Sequence, residues 1–245
     1  MQGHRGQIGI LGYGVVGKAI EEIYRESFFG QPVIKDLDRD EFDGLGILNV
    51  CIPYSEDFEN IVIKEMEKNK PNLTIIHSTV IPYTTKNIRE KTKMYVVHSP
   101  IQGQHDNLAR SIKIFSKFIG AEKEADAELA CEHFKFLGLK KYLVYKPAVI
   151  TEINKLVSTT YYGVCIAFTD YIDKLFQKYN IPFKTFEKFN ESYNRGYRRL
   201  KLRKANRPTL IPPRGRIGGS CLVKNTQFIQ ECLDHKLIQA ILEVR

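Results

Sequence analysis

Cysteine is scarce in this chain of 245 residues: Cys51, Cys131, Cys165, Cys221 and Cys232 are an odd five, with no C-x-x-C pair. That argues against a disulfide framework or a thiolate zinc site and suits a reducing compartment. Histidine is thin as well. The six are scattered, none three or four residues from another, so no metal site is expected. Long apolar runs are also missing. The opening MQGHRGQIGILGYG is too short in apolar residues for a signal peptide, and no stretch is long enough to span a bilayer. A cytoplasmic protein with no membrane partner is expected.

What is present is enough apolar residue, 43%, for a real core. The length allows one large domain or one domain with a smaller partner. The net charge of +9 is unevenly spread, with Arg195, Arg198, Arg199, Lys201, Arg203, Lys204, Arg207, Arg214 and Arg216 crowding one segment. Such crowding serves nucleic acid, a phosphorylated small molecule, an acidic partner or only a solvated face.

Gln7 to Leu11 reads as a short buried strand, followed by GYGVVG and then KAIEEIYRESF with helical periodicity. This is G-x-G-x-x-G between a strand and a helix, the context a dinucleotide fingerprint requires. Gly12 allows the tight turn, Gly14 lets backbone approach a pyrophosphate, and Gly17 lets helix and strand pack closely. Tyr13, Val15 and Val16 complete the loop, whose amides meet phosphate at the helix N-terminus. The next strand, QPVIKDLD, ends in Asp36, placed to grip the adenosine ribose. No arginine follows at once, although Arg39 is close, so NAD is favoured over NADP.

Further short apolar runs, LGILNVCIP, LTIIHSTVIP, MYVVHSP and KKYLVYK, alternate with the amphipathic stretches FENIVIKEMEKNK and AEKEADAELACEHFKFLG. The alternation predicts a Rossmann-type α/β fold, a doubly wound parallel sheet with helices on both faces. Ligands in such sheets lie beyond the carboxyl ends of the strands. Pro53, Ser78, Thr79, Ser99 and Pro100 are therefore candidates for the cofactor rim, against ordinary strand-end turn chemistry for any one of them. From about Ala148 the pattern changes to one proline-free helix of roughly 30 residues, about 45 Å long. The expected domains are 1–147 for NAD and 148–245 for the long helix, a basic loop and a small helical region. Glu152, Lys155 and Thr159 share one face of that helix, as a solvated stripe or as one wall of a site. The polar run after Phe189 reads as a loop, and KNTQFIQECLDHKLIQAILEV as one closing amphipathic helix.

The stretch RIGGSCLVKN poses a sharper question. A buried structural cysteine needs neither two glycines before it nor a lysine three residues later. A nucleophile profits from both, through access and through a nearby ammonium. For Cys51, inside a predicted strand, and for Cys131, Cys165 and Cys232, within predicted helices, a structural role is expected.

Together ILGYGVVG, Asp36, STVIPYTT, EINKLVSTT and GGSCLVKN resemble the UDP-glucose and GDP-mannose dehydrogenase family, the nucleotide-sugar dehydrogenases, over nearly the whole chain. The resemblance implies an NAD-dependent oxidation of a nucleotide sugar, of the UDP-glucose 6-dehydrogenase type, in a homodimer that binds no nucleic acid. The primary alcohol passes through a cysteine-bound thiohemiacetal and thioester to the uronic acid. By position Cys221 is the nucleophile, Lys155 stabilises the oxyanion at the sugar carbon, and Thr79 helps to hold a water. Lys224 lies near the cofactor and the cysteine. Asn225 stands at a catalytic position, and Lys155, Thr159, Arg216 and Gly218 belong to the substrate. An alternative is a non-catalytic or single-oxidation NAD-binding homologue acting on another phosphorylated alcohol.

The sequence also departs from the family. Asparagine is usual where Thr159 stands, and aspartate where Asn225 stands. HSPIQGQH replaces an Asn-Pro-Glu-Phe loop, removing a glutamate. His98 or His105 is the candidate replacement base. Only about 20 residues follow Asn225, too few for the family's further nucleotide-binding domain, so the chain is either naturally short or truncated; if it is short, the basic segment Arg195 to Arg216 is expected to hold a phosphate-bearing substrate.

Overall fold

The computed structural model describes residues 6–103, 105–213, 215 and 220–244, and for His105, Arg203 and Ser220 the backbone alone. The expected substrate contacts Arg216 and Gly218, and with them Arg214, lie outside the described residues. The chain divides into two compact units, residues 1–155 and 156–245.

The first unit is built on strands β1 (Gln7–Leu11), β2 (Val33–Asp36), β3 (Arg39–Asp40), β4 (Leu45–Val50), β5 (Leu73–Ile76), β6 (Val96–His98), β7 (Lys117–Ala121) and β8 (Tyr142–Tyr145). They form one sheet in the order β3-β2-β1-β4-β5-β6-β7-β8. The intervening helices are α1 (Val15–Arg25), α2 (Phe58–Asn69), α3 (Thr84–Thr92), α4 (Leu108–Ile114) and α5 (Glu124–Phe136). This is the Rossmann-type α/β fold expected from the alternation of apolar runs.

Alternation within the strands explains why helices cover both faces. Ile8 and Ile10 of β1, Ile47 of β4, Ile75 of β5 and Val97 of β6 pack with buried residues of α1, α4 and α5. Leu11, Leu48, Val50, Ile76 and Val96 point the other way and pack with Phe58, Val62 and Met66 of α2 and Ile88 of α3. Each such isoleucine or leucine removed from water contributes roughly 1.5–3 kcal/mol. Two-sided burial is why these strands read as continuous apolar runs.

The sheet is not parallel throughout. β3 pairs antiparallel with β2, and β7 antiparallel with β6, so that β8, parallel to β7, runs against the first strands. KFIGA escapes a search for apolar runs because it opens on Lys117, a charged residue that the fold buries. Cys51 lies one residue beyond β4 rather than inside it.

The long helix is as expected: α6 runs Val149–Lys178, 30 residues. The second unit, starting within it, continues with α7 (Lys184–Arg199), a 3-10 turn (Arg203–Ala205), α8 (Ser220–Cys232) and α9 (Lys236–Glu243). Two expectations fail here. The run after Phe189 is helical to Arg199, because Phe186, Phe189, Tyr193 and Tyr197 recur at three- and four-residue spacing, and the last three form a ladder of ring contacts. The closing segment is two helices. His235 is extended and its ring accepts a hydrogen bond from the Leu237 amide, which starts α9 separately. Within this unit Leu222 and Ile241 pack with Val164, Ile166 and Ala167 of α6. A side chain at Gly163 would come within 3.1 Å of both Leu222 and Ile241.

Candidate active site

The glycine loop occupies the carboxyl end of β1, and each glycine has a distinct geometric reason. Gly12 has φ +93°, and a Cβ there would sit 2.8 Å from the Ile52 amide nitrogen. Gly17 approaches so closely that a Cβ would fall 2.1 Å from the Gly12 carbonyl oxygen. Gly14 differs: a Cβ there would meet nothing within 4 Å, so the loop backbone is open on that side. Tight turn, close packing and an open approach are what a pyrophosphate cradle at the N-terminus of α1 requires. Exposed Val15 and half-buried Val16 begin the helix.

Asp36 ends β2 beside this loop. Its carboxylate accepts hydrogen bonds from the Tyr13 amide and the Leu37 amide, each 2.9 Å. Arg39 stands opposite Asp36 in the β2–β3 register, and its guanidinium lies 5.8 Å from the Tyr13 ring centroid. Lys18 Nζ lies 5.6 Å from the same ring. The Tyr13 hydroxyl donates to Glu21, 2.5 Å away, and that bond raises the phenol above its ordinary value. Of these neighbours of Tyr13, Lys18 and Glu21 carry no motif and escape a reading of the sequence.

The rim continues at the carboxyl ends of β4, β5 and β6. Pro53 is exposed and Thr79 half-buried, while buried Ser78 donates to the Ile52 carbonyl at 2.6 Å. Ser99 and Pro100 are buried just past β6. Lys155 reaches this edge from α6 and donates to the Ile101 carbonyl at 2.7 Å. Its charge also helps to hold the His98 ring below its ordinary pKa.

His98 is not the base that sequence reading suggested. It is fully buried, its Nδ1 is 2.8 Å from the Thr151 hydroxyl, and its Nε2 is 3.2 Å from the Ser78 carbonyl. Burial pushes its pKa down to about 3, so the ring is neutral and structural. His105 opens the short turn His105–Asn107. Glu152 is likewise no solvated stripe. It is buried at the start of α3, where its carboxylate accepts from the Tyr83 amide, the Thr85 amide and the Thr85 hydroxyl at 2.6–2.8 Å. Burial raises this carboxyl above its ordinary value, and those hydrogen bonds oppose the rise.

In the second unit Cys221 is exposed in the first turn of α8, with Lys224 and Asn225 three and four residues on. Lys224 is exposed, Asn225 buried, and Thr159 half-buried on α6. Cys232 is the other exposed thiol, raised by partial burial and by Glu231. Half-buried Cys51, whose thiol burial raises above its ordinary value, and half-buried Cys131 and Cys165 fit structural roles.

No family model matches the chain. Among curated proteins, UDP-N-acetyl-D-mannosamine dehydrogenase of Methanococcus maripaludis is 26% identical over 178 residues, covering 71% of this chain and 38% of its own. In sequence the chain is similar to these UDP-N-acetyl-D-mannosamine dehydrogenases. It spans under two fifths of the length of the curated relatives it matches. Among solved structures, UDP-D-ManNAc dehydrogenase of Pyrococcus horikoshii superposes with TM-score 0.77 at 17% identity, over 96% of this chain and 67% of that one. The 3-hydroxyisobutyrate dehydrogenase of Mycobacterium tuberculosis shares the fold at TM-score 0.69 and 11% identity, over 97% of this chain and 91% of that one. No helix among the described residues is long and apolar enough to cross a membrane.

Proposed function

We propose that this chain oxidises the primary alcohol of a nucleotide sugar of the UDP-sugar class to the uronic acid, using NAD and acting as a homodimer. One observation carries the reading. The Lys155 ammonium stands at the carboxyl ends of β5 and β6, the edge on which the glycine loop of β1 also opens, because β1, β4, β5 and β6 run parallel. Gly12, Gly14 and Gly17 with the first amides of α1 would hold the pyrophosphate, Asp36 the adenosine ribose, and Pro53, Ser78, Thr79 and Lys224 the remainder. Bound there, the dinucleotide supplies a hydride acceptor.

Lys155 stabilises the alkoxide formed as the sugar hydroxyl loses its proton, since a positioned ammonium counts most where charge develops. Cys221 acts as nucleophile. Its thiolate adds to the aldehyde carbon, forming a carbon–sulfur bond and an oxyanion that Lys155 again stabilises. After the second oxidation, water adds to the thioester carbon and the carbon–sulfur bond breaks, releasing the acid and returning the thiolate. Thr79 and Asn225 orient that water. α8 favours the chemistry because first-turn amides lack intrahelical partners and can donate to an anion. The homodimer is supported by exposed Val157, Tyr161, Phe168 and Tyr171 of α6, whose spacing of four, seven and three residues makes an apolar stripe.

The test is NAD reduction across a panel of nucleotide sugars. Lys155→Ala is expected to abolish it. Cys221→Ser should block acid formation while sparing some aldehyde chemistry. Acid output unchanged in Cys221→Ser would remove the covalent part of the scheme, and tight NAD binding without reduction of any panel member would favour a non-catalytic homologue.

A further inference from the structure

Two residues at the β2–β3 turn give opposed readings of the dinucleotide. An aspartate such as Asp36 suits the free 2′-hydroxyl of the NAD ribose, whereas an arginine nearby suits the 2′-phosphate of NADP. Arg39 is such an arginine. It stands opposite Asp36 in the β2–β3 register, and its guanidinium lies 5.8 Å from the centroid of Tyr13 in the glycine loop. Residues directly opposite across an antiparallel pair share one face of the sheet, close enough for opposite charges to pair.

Asp36 and Arg39 do not pair. The two Asp36 oxygens are turned to backbone, Oδ2 to the Tyr13 amide and Oδ1 to the Leu37 amide. Arg39 reaches Glu41 instead, Nη2 to Oε1 at 2.7 Å. Glu41 is a fixed partner. Its other carboxylate oxygen, Oε2, accepts from the Ile34 amide at 2.9 Å, and its own amide donates to the Ile34 carbonyl at 3.1 Å. Ile34 is fully buried inside β2. Glu41 is therefore tied to the core of the sheet by backbone and side chain alike, and its carboxylate is divided between Ile34 and Arg39. The Arg39 bond first, and the Ile34 bond after it, hold this carboxyl below its ordinary value.

An ion pair between exposed side chains ordinarily contributes little, because both must be ordered to form it and water screens it. Here Ile34 has already ordered one of the two. The neighbouring acid does not compete for Arg39: Asp40 lies 2.6 Å from Lys35 and 3.5 Å from Lys68. Arg39 takes part in no further ion pair among the described residues. One arm of the fork that two phosphate oxygens would use is thus held by an anchored carboxylate. Glu41 also adds a second negative charge to the one Asp36 supplies.

We propose that Glu41 is a specificity-determining residue for the dinucleotide, holding Arg39 so that it does not receive a 2′-phosphate. The preference for NAD over NADP then depends on Asp36 and on the Glu41–Arg39 pair together. This assignment deepens the proposed function and rests on its dinucleotide reading.

Calorimetric titration of the full chain with NAD and with NADP tests it, in wild type, Glu41→Gln, Arg39→Ala and the double variant. Wild type should bind NAD the more tightly. Glutamine keeps an oxygen for the Ile34 amide and loses the charge that holds Arg39, so the NADP-to-NAD affinity ratio should rise about three- to tenfold. Arg39→Ala alone should not raise it. In the double variant the ratio should return to within about twofold of wild type, because the gain passes through Arg39. A ratio that Glu41→Gln leaves unmoved while NAD still binds overturns the assignment and leaves the dinucleotide reading standing. A double variant that keeps the gain overturns it too, since Glu41 would then act by repulsion and not through Arg39. So does a wild type that prefers NADP. Binding of neither dinucleotide by any form overturns the dinucleotide reading and this assignment with it.

Discussion

Replacing Lys117 with methionine should make this protein more stable. Lys117 begins β7, is 4% exposed, and has the Ser99 carbonyl at 3.3 Å as its hydrogen-bond partner. Its other neighbours are the Phe134 ring, 5.5 Å from Nζ, and a cavity of about 10 Å³ that it lines with Tyr24, Asn49 and His77. That volume admits one water at most and no counter-ion. Burial therefore pushes the Lys117 pKa down to about 7 from 10.5, which corresponds to about 5 kcal/mol against the charged form. The folded value lies below the unfolded one, so between pH 7 and 10.5 the unfolded chain holds the extra proton and stability rises with pH. From pH 6.5 to 8.5 this amine alone should add about 2 kcal/mol. Lys117→Met, similar in length and without charge, should gain about 2–4 kcal/mol at pH 7 after repacking losses and lose that pH dependence. Urea unfolding followed by circular dichroism at both pH values measures it, since the chain has no tryptophan to report by fluorescence. A variant destabilised by more than about 1 kcal/mol, with the wild-type pH slope intact, would refute the reasoning.

Two further outcomes follow from the cofactor loop and the α3 cap. Gly17→Ala places a methyl 2.1 Å from a backbone oxygen, whereas Gly14→Ala enters open space; the first should lower thermal stability and abolish NAD binding, the second should leave the melting temperature unchanged and weaken NAD binding alone. Glu152→Ala removes the acceptor of three hydrogen bonds at the start of α3 and should cost about 2–4 kcal/mol in chemical denaturation, with Glu152→Gln recovering part of the loss.

The glycine loop was legible because every glycine in it answers a local demand: a positive φ, a close approach, or an open side. The long helix was legible for a similar reason, thirty residues without a proline. Lys117 and KFIGA were not, because a lysine reads as exposed until packing shows otherwise. α7 was missed because its periodic residues are aromatic rings spaced among charges, so its mean polarity resembles that of a loop. His98 and Glu152 carried the residue types of catalysis, and only their partners, Thr151, Ser78, Tyr83 and Thr85, disclosed structural work.

Local sequence thus determined the Rossmann-type unit, the dinucleotide fingerprint and the helical second unit, since turn sterics and apolar periodicity act between near neighbours. Tertiary structure alone decided which polar groups are buried, which strands reverse direction, and that Asp36 turns to the Tyr13 amide and leaves Arg39 to Glu41. Those outcomes depend on residues distant along the chain meeting in space, where desolvation and hydrogen-bond partners are set.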